Sequence, residues 1–144
     1  MKVGYKMNNE LFFSKKSDEW STPQILFDNL NKEFNFNLDV AATKENAKCK
    51  YFYTINDNAL LKSWIGICFC NPPYSKCKEF VKKAYEERMK NNANKVVLLL
   101  PVRTDTKWFH EYILPYAEIR FIKGRLKFGN SKNAAPFPSM IVIF

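Results

Sequence analysis

The stretch Phe69-Cys70-Asn71-Pro72-Pro73-Tyr74 decides how the rest of the chain is read. It closes a short apolar run, Ile65 to Cys70, that predicts a buried strand. A helical pattern begins a few residues later, near Lys76. The turn between them is stiff. Pro72 has a fixed φ and no N–H, and Pro73 biases Pro72 toward an extended conformation. The Asn71 amide oxygen and the Pro72 carbonyl therefore become acceptors held in set directions. Tyr74 adds a flat face. Two acceptors beside a stacking ring suit a planar ligand that carries an NH2 group.

Working outward, Lys76 to Asn92 predicts a helix with Phe80, Val81, Ala84 and Tyr85 on one face. Lys95 to Leu100 reads as a strand buried on both faces, as in a parallel sheet. Strand, helix and strand give a right-handed crossover. Toward the N-terminus, Asn35 to Ala42 reads as the first core strand and the aromatic-dense Lys48 to Tyr53 as a short second one. Open α/β sheets bind ligands at the carboxyl ends of their strands. Asp39, Asn71 and Pro101 all fall on that edge.

A helix is expected to open at Ser21 to Pro23. Ser21 or Thr22 can cap it and Pro23 suits its first position. Its apolar face is read as Ile25, Leu26, Leu30 and Phe34. Thr106 can cap another helix, Lys107 to Leu114, with Trp108 and Phe109 in the core and His110 exposed. Ala117 to Lys123 and Gly124 to Phe128 alternate, which predicts an antiparallel hairpin turning at Lys123-Gly124. Ser139 to Phe144 forms a last strand, and the absence of a polar tail after it leaves room for a C-terminal extension.

The 144 residues suit one domain with a real core. Residues 1–16 carry four lysines without periodicity and are expected to be a basic, disordered arm. The net charge of +9 points to a polyanionic partner such as nucleic acid. Arg120, Lys123, Arg125 and Lys127 make the densest basic segment, and the loop of residues 129–138 beyond it is expected to face that partner. Cys49, Cys68, Cys70 and Cys77 lack Cys-x-x-Cys spacing and His110 is the only histidine, so no metal site is expected. Free thiols in a reducing cytoplasm fit better. No apolar run approaches the roughly 20 residues that cross a bilayer.

The ordered set of motifs is more specific than any one of them. It comprises residues 17–23 (Ser-Asp-Glu-Trp-Ser-Thr-Pro), Leu38 to Ala42, Phe69 to Tyr74, Leu100 to Phe109, Arg120 to Phe128 and Pro136 to Ser139. Together these resemble the small, phage-associated family of DNA adenine methyltransferases, across nearly the whole chain. The resemblance implies a Rossmann-like class I methyltransferase fold. The expected sheet is mostly parallel, with a C-terminal antiparallel hairpin and helices on both faces. Residues 17–144 then form a single domain without a separate target-recognition domain. Specificity is then expected to come from short loops, a homodimer or a partner subunit, or to be weak.

The same resemblance implies S-adenosylmethionine as cofactor and DNA as substrate, in the cytoplasm of a bacterial host for a phage or prophage protein. Asn71, Pro72, Pro73 and Tyr74 become the catalytic motif, with Tyr74 stacking on a flipped adenine. Trp20, Thr22 and Pro23 lie against the methionine end of the cofactor, with Asp39, Ala41, Ala42, Asp57 and Asn71 completing its site. Arg103, Arg125 and Lys127 meet the DNA. Plainer readings stand beside these. Trp20 can staple the first helix, Asp39 and Asp57 can cap short helices, and Arg103 can pair with Asp105. No glycine follows Asp39, so the usual Gly-x-Gly cofactor loop is missing. That absence favours a non-catalytic DNA-binding relative as one alternative. A methyltransferase acting on RNA or on a protein glutamine is the other.

Overall fold

The computed structural model describes residues 20–129 and 131–144, and the expected arm over residues 1–16 lies outside them. Six strands form one sheet: β1 (Leu38–Asp39), β2 (Tyr51–Phe52), β3 (Gly66–Cys70), β4 (Ala93–Pro101), β5 (Glu118–Phe121) and β6 (Ser139–Ile143). Their spatial order is β2-β1-β3-β4-β6-β5. Strands β2, β1, β3 and β4 pair in parallel, whereas β6 pairs antiparallel with both β4 and β5. The expected mostly parallel sheet with antiparallel C-terminal strands is present. The expected partner of β5 is not. Residues 124–128 form no strand, and β5 pairs instead with β6 across the long connection 122–138. Alternation over 124–128 was real, but it sets Leu126 and Phe128 inward from a loop rather than in a ladder.

The strands sort their side chains by the period of two that a pleated ladder imposes. Val96, Leu98 and Leu100 of β4, Cys68 and Cys70 of β3, and Met140 and Val142 of β6 face one core. Val97, Leu99, Phe69, Ile141 and Ile143 face the other. Helix α2 (Cys77–Met89) covers the first core with Phe80, Val81 and Ala84. A single π-helical turn, Phe109–Ile113, joins it there, and Trp108 and Phe109 are buried as expected. Helix α1 (Gln24–Phe34) covers the second core. Its buried face is Phe27, Leu30 and Phe34, while Ile25 is 78% exposed. The expected register on Ile25 was thus off by part of a turn, because the chain has two apolar choices at the helix start and the larger ring wins the core. Each such ring or branched side chain contributes about 1.5–3 kcal/mol by leaving water.

Helix α1 begins one residue later than expected. Pro23 is its cap and no side chain caps it. Its far end closes on Asn35 in the left-handed region, with the Asn35 N–H on the Asn31 carbonyl and the Phe36 N–H on Asn31 Oδ1. Asn37 then ties the sheet together at its lower edge. Its amide accepts from the Ile67 N–H at 2.6 Å and donates to the Ile65 carbonyl at 2.9 Å. Gly66 between them has φ +84°, and a Cβ there would overlap the Asn37 amide. Gly66→Ala is therefore expected to lower stability by about 2 kcal/mol or more, through strain and the lost bridge. A urea titration measures this, and an unchanged midpoint would show that the backbone at Gly66, where the β3–β4 register shifts, relaxes freely.

On the other face, Glu87 of α2 is buried with its carboxylate surrounded by donors. Burial raises its pKa, but three partners outweigh burial and hold it below the usual value: Asn92 Nδ2 at 2.7 Å, the Trp64 N–H at 2.8 Å and Lys83 Nζ at 3.1 Å. The ionised form locks the segment before β3 onto the helix. A folded-state value below the unfolded one makes this contribution complete above the unfolded pKa near 4.5. It disappears as pH falls through the folded value. Glu87→Gln is expected to cost about 1–3 kcal/mol at neutral pH. The urea midpoints of variant and wild type should converge in acid; a constant gap at all pH values would contradict the charged reading.

Candidate active site

The sheet reverses its direction of growth between β1 and β3. From β1 the chain builds outward to β2, and from β3 it builds the other way. Such a switch point opens a crevice at the carboxyl ends of the two strands. Asp39 ends β1 and Asn71 follows β3. A cavity of about 690 Å³ lies at this place, lined by both. That size falls within the roughly 300–1,000 Å³ of small-molecule sites.

Asn71 is oriented by the segment ahead of α1. Its Nδ2 donates to the Trp20 carbonyl and to Thr22 Oγ1, the latter at 3.0 Å. A backbone carbonyl only accepts, so the amide nitrogen must face it. Oδ1 is thereby turned the other way. It is buried and has no hydrogen-bond partner among the described residues. Thr22, expected as a helix cap, is 5% exposed and serves Asn71 instead. An acceptor is thus held in a fixed direction beside the cavity.

Asp39 explains how a loop without glycine is built. Its Oδ1 accepts from the Ala41 N–H at 3.2 Å and its Oδ2 from the Lys48 N–H at 3.1 Å. The Ala42 N–H reaches the Tyr53 carbonyl at 3.0 Å. The carboxylate folds the loop 40–48 around itself, where a Gly-rich loop would rely on free backbone angles. Asp39 is 3% exposed. Burial raises its pKa, against the Lys48 and Ala41 amides and the Lys48 charge. Each carboxylate oxygen keeps capacity for another donor from the cavity. The short helix that Asp39 was to cap, near Thr43 to Ala47, is instead a turn closed by Thr43 and Asn46.

Tyr74 sits in an aromatic box. Its ring lies 6.3 Å from that of Trp20 at 25° to it, and meets Phe137 at 5.0 Å and Phe128 at 6.2 Å edge-on. Its hydroxyl is buried without a partner among the described residues, and burial pushes the phenol pKa up, with the Arg103 charge opposing. Arg103 forms no ion pair with Asp105 among the described residues. Thr106 does cap its turn, accepting from the Phe109 N–H at 3.3 Å.

The cavity brings together Trp20, Thr22, Asp39, Ala41, Ala42, Asn71 and Pro73 of the expected residues. Pro23, Asp57, Pro72, Tyr74, Arg103, Arg125 and Lys127 do not line it. Asp57 is turned back on its own loop, where Oδ2 accepts from the Thr54 N–H at 2.7 Å and from Thr54 Oγ1 at 3.1 Å. Those bonds hold its pKa low. Its neighbours Asn56 and Asn58 line the cavity in its place. Tyr53, Leu60 and Phe80 also line it and were missed. The carboxyl end of β2, beside β1 on the same sheet edge, was the signal for Tyr53 and the segment after it. Phe128 and Phe137 were missed as box walls, although both lie in motifs quoted above.

A model of the DNA N-6-adenine-methyltransferase (Dam) family matches residues 12–144. The chain belongs to this family. Among Dam relatives, the DNA N-6-adenine-methyltransferase of Haemophilus phage HP1 is 37% identical over 142 residues, covering 91% of this chain and 82% of that one. That of Escherichia phage T1 is 40% identical over 113 residues, covering 76% of this chain but 46% of its own length. The putative methyltransferase YfdM of Escherichia coli K12 is 42% identical over 65 residues, 40% of this chain and 71% of that one. The six-stranded α/β sheet is consistent with a methyltransferase. Among the described residues there is no cluster of metal-ligating side chains and no helix long and apolar enough to cross a membrane.

Proposed function

We infer that this protein transfers a methyl group to the 6-amino group of adenine in DNA, with S-adenosylmethionine as donor. The single observation that carries the reading is the Asn71 amide, which lines the switch-point cavity, is oriented by Trp20 and Thr22, and keeps a buried oxygen unpaired among the described residues. The donor supplies a methyl group on a positively charged sulfur. The residues present fit it: small Ala41 and Ala42 for close approach, and the buried Asp39 carboxylate for its positive charge. Asn71 Oδ1 and the Pro72 carbonyl accept from the adenine amine and hold its nitrogen in line. Tyr74 stacks on the base, which has left the duplex to reach the site. No strong base is needed, because the methylated nitrogen acidifies its own proton. Positioning supplies much of the rate.

DNA contact falls to Arg103 at the sheet edge and to Arg125 and Lys127 in the connection 122–138, where both are exposed. Replacing Arg125 and Lys127 together by Ala should weaken binding to any DNA and reduce the salt slope by about 2; an unchanged slope would remove this loop from the interface. Residues 17–144 act as one methyltransferase domain, and a homodimer or partner subunit is a source of specificity. The place of action is the cytoplasm of a bacterial host. Tritiated donor offered with DNA, RNA and protein side by side tests the reading. Label should enter DNA. Label in RNA or protein alone would name a different acceptor, and no donor binding at millimolar concentration would leave a non-catalytic DNA binder.

A further inference from the structure

We infer that the Trp20 indole belongs to the acceptor base: it forms the face opposite Tyr74 of the slot for the flipped adenine, and its Nε1–H donates to a ring nitrogen of that base. This rests on the adenine reading above and adds a specificity contact to it. The resemblance had set Trp20 against the cofactor. It does line the switch-point cavity with Asp39 and Ala41, but its indole ring also packs beside Tyr74. Two layers stacked at about 3.4 Å each span about 6.8 Å. The Trp20 and Tyr74 rings are inclined by 25° with centroids 6.3 Å apart, so a flat base enters between them only as the two rings part. Phe128 and Phe137 wall the slot, edge-on to Trp20 at 5.2 and 5.6 Å.

Three buried polar atoms at this place lack partners among the described residues: Trp20 Nε1, Asn71 Oδ1 and Tyr74 Oη. A buried indole N–H without an acceptor is costly, and a base ring supplies one. The match is specific. The adenine amine lies between two acceptor nitrogens, N1 and N7. Trp20 holds Asn71 Nδ2 through its own carbonyl, so the indole is carried by a residue fixed to the amide that takes the amine. One residue thus sets the catalytic amide with its backbone and meets a flanking nitrogen with its side chain.

The test uses the full chain and duplexes carrying the site that it methylates, with the target adenine replaced by 7-deazaadenine or 1-deazaadenine. Wild type should lose about tenfold in kcat/KM on one of the two. Trp20→Phe keeps a stacking ring and removes the donor. It should be about tenfold slower on natural DNA, with an unchanged KM for S-adenosylmethionine and no further loss on the deaza duplex. Trp20→Ala should lose more, through stacking. Wild type indifferent to both deaza bases, or Trp20→Phe that keeps the deaza penalty, overturns the inference while leaving methyl transfer intact. A raised donor KM with full deaza discrimination would return Trp20 to the donor. Wild type that methylates no DNA at all sinks the parent reading instead.

Discussion

Asn71→Ala is expected to slow methyl transfer by about a thousandfold or more, the scale of losing a fixed polar group that acts on the reacting atoms. Its affinity for S-adenosylmethionine should stay within about threefold, since the Asp39 loop is folded by its own hydrogen bonds. The split matters because Asn71 has two jobs. Nδ2 binds Trp20 and Thr22, and only Oδ1 is left for a ligand. Loss of donor binding and rate together would mean that the amide mainly holds the 20–22 segment in place. Calorimetry with the donor and a tritium-transfer assay separate the two.

Tyr74→Ala should lower kcat/KM for DNA by about 100-fold, at the upper end of what one stacked base is worth. Tyr74→Phe should stay within about threefold, because the hydroxyl has no partner among the described residues and its removal leaves nothing newly unpaired. The ring also packs on Trp20, Phe128 and Phe137, so thermal melting must accompany the kinetics. Equal losses for Phe and Ala would assign the work to the hydroxyl and contradict stacking.

Much of this was legible in the residues. The run into Asn71 and the apolar stretch up to Leu100 fixed two parallel strands, and strand ends located Asp39 and Asn71 on one edge. What failed shares a cause: partners distant in the chain. Residues 124–128 alternate like a strand, yet β5 finds β6 across the connection 122–138, because β6 offers two fully buried faces. Asp57 precedes an apolar pair in the expected way, but Thr54 lies within reach first. Thr22 has a capping residue's chemistry, and only the fold brings Asn71 to it from 49 residues away. Phe128 and Phe137 carried no role of their own, since nothing local places them against Trp20 and Tyr74.

The central claim is that a fixed amide oxygen presents an exocyclic adenine amine to a methyl donor. It is tested most directly in a bacterial host without adenine methylation of its own. DNA from cells expressing wild type or Asn71→Ala would be digested to nucleosides and weighed by mass spectrometry. The account predicts N6-methyldeoxyadenosine with wild type and none above background with the variant. A methyl group on another base, or equal N6-methyldeoxyadenosine from both, would contradict it.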